Sequence, residues 1–392
     1  MMNSGVLTHH SRATLHVNRT GADHAFLVIS VPDGASAARA AAEGYAQAGD
    51  ILGKNTLEIV QERIFGSLSV EAAVRAARRE ELQSRGIRPD GPLTYVQGNP
   101  PCGEGFAGAI IHAVPAARSA DKVQTIFDGG VPCGRSWRAA DATFTILQNI
   151  QGMPQGPADD NSPSSQSRRM IERADHILRD HGASFRNTVR TWFYLSNILD
   201  WYGQFNQVRN AKYSEFGLLP RPGQMHLLPA STGIRADLPG GAACSLDLLA
   251  MTSEEGHEPI VKRLSNPRQQ EAFRYGSAFS RCAVVHGPRE TLIEISGTAA
   301  IDENGKSLHA GDIRAQVHCT LDKVAAILDP AGASLQDVRA ATVFVKNGDD
   351  ADFARSVIAD RGLEGLPAVF VVADVCREDL LFEIDAEALV PR

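Results

Sequence analysis

The sequence predicts an α/β (α+β) fold assembled from repeated ββαβαββ units, each a mixed sheet with its helices on one face. Three observations lead there. The chain resembles itself at an offset of 150 residues, helix-period and β-prone stretches alternate inside each copy, and 392 residues are too many for one ordinary core.

The N-terminal region reads as a degenerate copy. HAFLVISVP is a strand, 35–52 an Ala-rich helix, LEIVQERIF a strand, 70–82 a helix, and LTYVQ with FAGAIIHAV closes the sheet. The order of elements supports this copy, with no gapless register. Next comes 152–166, polar and rich in Pro, Gly and Ser, expected as an exposed loop.

The middle and last copies align without a gap. Gln166 meets Gln316, Ile177 meets Ile327, Leu178 meets Leu328, and Gly182-Ala183-Ser184 meets Gly332-Ala333-Ser334. Asn197 meets Asn347 and Asp200 meets Asp350. Roughly two identities would be expected over that span from average composition. Met170, Ile171, Ala174, Ile177 and Leu178 form one apolar helix stripe; Val317, Leu321, Val324, Ile327 and Leu328 form the other. β-Prone runs follow at 191–195 and 342–345, then a second helix, then paired strands opening at Pro229 or Pro367. A hairpin is expected from LIEISGTAAID into Glu303-Asn304-Gly305, because Asn-Gly favours a tight turn. The expected units are 1–117, 118–252 and 253–392.

Composition narrows function. A net charge of −7 with no Lys/Arg block argues against nucleic acid. The six cysteines are scattered without metal-ligand spacing, so neither a metal nor a disulfide framework is expected. No apolar run is long enough for a membrane span and the N-terminus lacks a signal-peptide core, which leaves the cytoplasm. Gly103-Glu104-Gly105-Phe106-Ala107-Gly108 matches GxGxxG but runs into a strand-like segment, so it carries no dinucleotide expectation. No cofactor is expected.

One carboxylate stands out. In LLFEIDAEAL, alternation puts Leu381, Glu383 and Asp385 on one face and Phe382 and Ile384 on the other. The middle copy has Ser245 where the last has Glu383, while Asp247 matches Asp385. Only one copy keeps the acid, as expected if the others became scaffold.

Ser296-Gly297-Thr298, Gly311-Asp312-Ile313 with Gln316, Gly332-Ala333-Ser334 and the strand LLFEID resemble the Rid/YjgF family over 270–390, and more weakly over 125–250. That resemblance implies a trimer-like arrangement with active sites in clefts between units. Other segments are similar to the chorismatases: Arg190–Ser196, Pro229–Ile234, Asn266-Pro267-Arg268-Gln269 with Ala272 and Tyr275-Gly276, and Arg377–Ile384. Chorismatases hydrolyse chorismate to pyruvate plus a cyclohexadiene or hydroxybenzoate acid, and fold as monomers imitating the Rid trimer. Two departures stand beside this. Pro367-Ala368 is followed by Val369 where Rid imine deaminases carry Arg, and Tyr275-Gly276-Ser277-Ala278-Phe279 is shorter than the chorismatase loop.

The resemblance implies a hydrolase or lyase acting on a small carboxylate such as an enol-pyruvyl ether, with Glu383 as proton donor. Arg190 and Arg281 are candidates for binding its carboxylates, with hydroxyls from Tyr194 and Tyr275 and with Gly297 and Thr298 beside them. Cys376 together with Gly297 resembles the hydroxybenzoate-forming type. The rivals are a Rid-type imine or enamine deaminase and a noncatalytic ligand-binding module. Three units in one chain imply a monomer, a pseudo-trimer; two would require a homo-oligomer.

Overall fold

In the computed structural model the chain forms three successive units of one topology. The structure describes residues 13–18, 23–31, 35–116, 123–139, 141–154, 156, 159–220, 226–253, 261–287 and 289–392. The expected boundary at 117/118 and the N-terminal twelve residues lie outside them. The first unit comprises β1 (Thr14–Asn18), β2 (Ala25–Ser30), α1 (Ala37–Lys54), β3 (Leu57–Gly66), α2 (Glu71–Ser84), β4 (Thr94–Gln97) and β5 (Phe106–Pro115). The second has β6 (Gln124–Asp128), β7 (Val131–Ala139), β8 (Ala142–Gln151), α3 (Pro163–Asp180), β9 (Thr188–Leu195), α4 (Ile198–Glu215), β10 (Ala230–Arg235) and β11 (Cys244–Ser253). The third has β12 (Val261–Leu264), β13 (Cys282–His286), β14 (Glu290–Ala299), α5 (Ile313–Leu328), β15 (Val338–Val345), α6 (Ala351–Asp360), β16 (Ala368–Val372) and β17 (Phe382–Pro391).

The three sheets share one strand order: β1-β2-β5-β3-β4, β7-β8-β11-β9-β10 and β13-β14-β17-β15-β16, the last two widened by edge strands β6 and β12. In each, the closing strand lies centrally and antiparallel to its neighbours, and the two strands beyond it pair in parallel. The degenerate first copy is therefore a full unit, and the ββαβαββ expectation holds in all three.

The 150-residue offset is literal in the backbone, since β9 and β15 start and end that far apart. Before each strand the side chain of Asn187 or Asp337 accepts hydrogen bonds from the backbone and hydroxyl of Ser184 or Ser334. The paired glutamines also have a shared reason. Gln166 accepts a bond from the Ala243 N–H at 2.9 Å, and Gln316 from the Leu381 N–H at 2.8 Å. Each buried amide ties its helix to the chain entering the closing strand, and Gln316 thereby fixes the backbone two residues before Glu383.

Two local expectations need correction. The Asn304-Gly305 turn exists, with Gly305 at φ +78, but the antiparallel return it opens is very short. Asp302 closes it by accepting from the N–H groups of Asn304 and Lys306, and the return ends after one bridge, Ile301 to Ser307, flanked by backbone bonds from Asp302 N to Lys306 O and Leu308 N to Ala300 O, both 2.8 Å. The true hairpin partner of β14 is β13. The polar loop at 152–166 is also shorter than expected. Pro163 begins α3 and Ser162 caps it, accepting from the Ser165 N–H, which suits Pro at the first helical position; residues 155, 157 and 158 lie outside the described residues.

Each sheet buries one face under its own helices, and the opposite faces meet in a common centre. The parallel edge of one unit packs on the next: β10 on β14, β16 on β2 and β5, and β4 on β8. Backbone bonds stitch these seams, from Ser280 N to Pro229 O, Val372 N to Asn99 O and Gln97 N to Asp237 O. The ring closes as a pseudo-trimer within one chain. Among the described residues no helix is long and apolar enough to cross a membrane.

The centre is unusually ionic. Two guanidiniums lie over the Trp192 ring, Arg63 at 4.6 Å and Arg190 at 4.5 Å from its centroid. Arg63 pairs with Glu387, and Arg190 with Asp385 at 3.1 Å and Glu294 at 3.5 Å. Burial drives the carboxyls of Glu294 and Glu387 upward, as expected where three acids share two cations in a dry interior.

Candidate active site

A cavity of about 190 Å³ opens at the seam between the second and third units. Its walls are α4 and β10 on one side and the 275–281 segment, β14, Cys376, Arg377 and β17 on the other. Glu383 is the one carboxylate among its described lining residues, against three arginines, Arg209, Arg281 and Arg377.

Strand alternation sends Phe382, Ile384, Ala386 and Ala388 into the helix-side core and Glu383 inward. Glu383 is 4% exposed, and no described residue gives its carboxylate a hydrogen bond. Burial, with a smaller push from the charge of Asp385, raises it to about 8, against the pull of Arg281 and Arg190. At neutral pH it therefore carries its proton. Its place depends on Gly297: a Cβ there would lie 2.1 Å from Glu383 Oε1. Gly297 is held by its N–H, which donates to the Thr232 hydroxyl at 3.1 Å.

The cationic groups are fixed by their neighbours. Arg281 donates through Nε to the Gln270 carbonyl at 3.1 Å and through Nη2 to the Tyr275 hydroxyl at 2.7 Å. Arg209 donates to Asn206 at 2.6 Å, its Nε lacks an acceptor, and its guanidinium sits 5.2 Å from Phe205 and 5.5 Å from Phe279. Arg377 donates to the Gly305 carbonyl at 2.8 Å. Half-buried Cys376 completes the wall. Burial, and next the charge of Glu383, push its thiol up to about 12, so it is neutral and not a thiolate. The described residues gather no cluster of three metal-ligating side chains.

Residues 270–390 match the family model described as Endoribonuclease L-PSP. The 3-aminoacrylate deaminase RutC of Acinetobacter baylyi is 32% identical over 102 residues, which span 26% of this chain and 81% of that protein. The chain belongs to the Rid/YjgF family. Within it the chain is chorismatase-like. It is 29% identical to a chorismatase of Streptomyces hygroscopicus over 66% of this chain and 70% of the relative. A 3-hydroxybenzoate synthase from the same organism is 26% identical over 53% and 65% of the two lengths. A crystal structure of a chorismatase superposes over 95% of this chain and all of its own, with a TM-score of 0.62 at 19% identity, which shows that the fold is shared.

In this Rid-like frame Glu383, Cys376, Tyr275, Arg281 and Gly297 all come together on one cavity. Arg190, Tyr194 and Thr298 do not reach it. Arg190 lies behind the wall, donating to Thr232 at 2.7 Å and Asp385 at 3.1 Å. Tyr194 is buried in the central network with no described hydrogen-bond partner. Thr298 turns its hydroxyl onto the Ser296 carbonyl. Sequence reasoning missed Tyr202, Asn206 and Arg209, which share one face of α4 at i, i+4 and i+7. Their spacing was the available signal. Ser231, also on the wall, occupies the position after Pro229-Ala230.

Proposed function

We propose that this chain is a chorismatase-like enzyme that splits an enol-pyruvyl ether, with chorismate as the leading substrate, and that Glu383 donates the proton. The observation that carries this is a single neutral carboxylic acid on a cavity whose other charged lining groups are guanidiniums. An enol ether is inert at neutral pH until its terminal methylene is protonated. Glu383 gives its proton to that carbon, and the ether oxygen stabilises the cation left behind. Water adds, returning a proton to the Glu383 carboxylate, and the hemiketal collapses to pyruvate and the ring alcohol. Arg281 and Arg209 offer planar donors for the two carboxylates of such a substrate.

Arg190, Thr232 and Asp385 act as positioning residues. The Thr232 hydroxyl accepts from Arg190 and from the Gly297 N–H and donates to Asp385 at 2.8 Å. This joins the two units beneath the acid. Cys376 beside Gly297 supports release of a hydroxybenzoate, as the name of one relative suggests. That route frees pyruvate without net uptake of water. A neutral thiol next to the ring can shuttle the proton that aromatisation needs. The deaminase reading is less well served, because the residues after the two Pro-Ala pairs are Ser231 and Val369, neither of which can clamp a carboxylate as Arg does. Pure protein incubated with chorismate should release pyruvate. Absence of pyruvate, together with hydrolysis of imines generated by an amino-acid oxidase, would replace this reading with the deaminase one.

A further inference from the structure

We infer that a second cavity, at the seam between the first and second units, is a binding site for a small organic monocarboxylate anchored by Arg135. It lies away from Glu383, and the inference does not rest on the proposed reaction. The cavity has a volume of about 460 Å³, within the usual range for small-molecule sites.

Arg135 projects from β7 toward the first unit. No described residue accepts a hydrogen bond from its guanidinium, and its Nε is enclosed without a partner. Burial lowers it to about 10, the cost of withdrawing the cation from water. The nearby carboxylate of Glu62 is already occupied by Arg78. The placement is specific: a Cβ on Gly91 would lie 1.5 Å from Arg135 Nη2, so only glycine admits this guanidinium. The next seam provides a contrast. There Arg263 on β12 also reaches across a unit boundary, but it donates to the carbonyls of Leu228 at 3.0 Å and Thr188 at 3.4 Å. Arg135 has the same task of crossing a seam and finds no carbonyl. A half-buried guanidinium with an enclosed, unpartnered Nε, opening on a hollow, suits an anion.

The other walls set the ligand class. Arg88 adds a second cation with no described partner, and Thr125 offers a hydroxyl. Leu57, Ile87 and Phe127 supply apolar surface, and Phe127 is 56% exposed, an aromatic face left for a ligand to cover. Glu58 and Asp90 also line the cavity, Asp90 paired with Arg79 at 3.0 Å, and they oppose a second negative charge. The match is one carboxylate on a flat, apolar body, and benzoate is the simplest probe.

Benzoate titrated calorimetrically into the full chain should bind saturably, while neutral benzamide should not. Arg135→Met should weaken benzoate by about tenfold or more, the usual consequence of losing a charge-assisted contact. Gly91→Ala should weaken it as well by displacing the guanidinium. Because benzoate also resembles the proposed product at the Glu383 cavity, the comparison is repeated in the Arg281→Met background, which weakens carboxylate binding there, and the saturable binding that remains should still depend on Arg135. Without ligand, Arg135→Met should melt at or above the wild-type temperature, since it removes a half-buried cation whose Nε has no partner; this separates lost binding from lost folding. Absence of benzoate binding, equal binding of benzamide, or binding abolished by Arg281→Met and not by Arg135→Met would each overturn the assignment.

Discussion

Strands β11 and β17 close equivalent sheets and carry equivalent aspartates, yet only β17 faces a chemical cavity. Asp247 accepts from Thr94 of the first unit at 2.7 Å, and Asp385 from Thr232 of the second at 2.8 Å. Each aspartate thus clasps its unit to the neighbouring one. At the third seam Val369 packs near Gly108 instead, and no such clasp forms between those residues. Two positions earlier the strands part. Ser245 donates to Asn149 at 3.1 Å and is wholly buried, whereas Glu383 enters the cavity beside a glycine. The repeated acid is architecture and the unrepeated acid is the candidate for chemistry.

That contrast can be broken or sharpened by substitution. Glu383→Gln keeps shape and removes the proton donor, so kcat for pyruvate release should fall by roughly 10²–10⁴-fold while the far-ultraviolet circular dichroism stays the same. Gly297→Ala places a Cβ against Oε1, and the displaced acid should lower kcat by about 10²-fold. Arg281→Met should act mainly on binding, raising KM by roughly 10- to 100-fold, as expected for loss of a charged hydrogen bond.

A stability change follows from the same acid. Its folded value of about 8 exceeds the ordinary 4.5, so the folded state holds the proton more tightly. That contribution is full below the ordinary value and is lost as pH rises through about 8. Glu383→Gln should therefore melt a few degrees above wild type at about pH 8 and close to it near pH 4, by calorimetry. The smallest effect on rate is expected for Cys376→Ala, whose readout is the product: hydroxybenzoate should give way to a non-aromatic acid. An unchanged aromatic product would remove the thiol from the mechanism.

Much of this was legible in the chain because the repeat supplies its own control. Gln166 and Gln316 announce a shared buried role, and Ser245 opposite Glu383 marks the position that changed. The first unit was readable from periodicity alone, since its strands and helices each bury one regular face. Other features needed the third dimension. Arg209 becomes a site residue only because α4 is laid along the seam, and nothing local separates it from a surface arginine. Arg190 resembles a ligand-binding arginine in sequence, yet the neighbouring Asp385 and Glu294 come from another unit and claim it. The Asn304-Gly305 turn misled only in length, because its return ends after one bridge and the long partner of β14 is β13.

The most direct test of the central assignment is the pH dependence of pyruvate release from chorismate by wild type and Glu383→Gln. A neutral acid donor requires a rate that is level below about pH 8 and then falls about tenfold per pH unit, with the Gln variant nearly inactive throughout. A profile that stays flat past that point, or a Gln variant as fast as wild type, would contradict it.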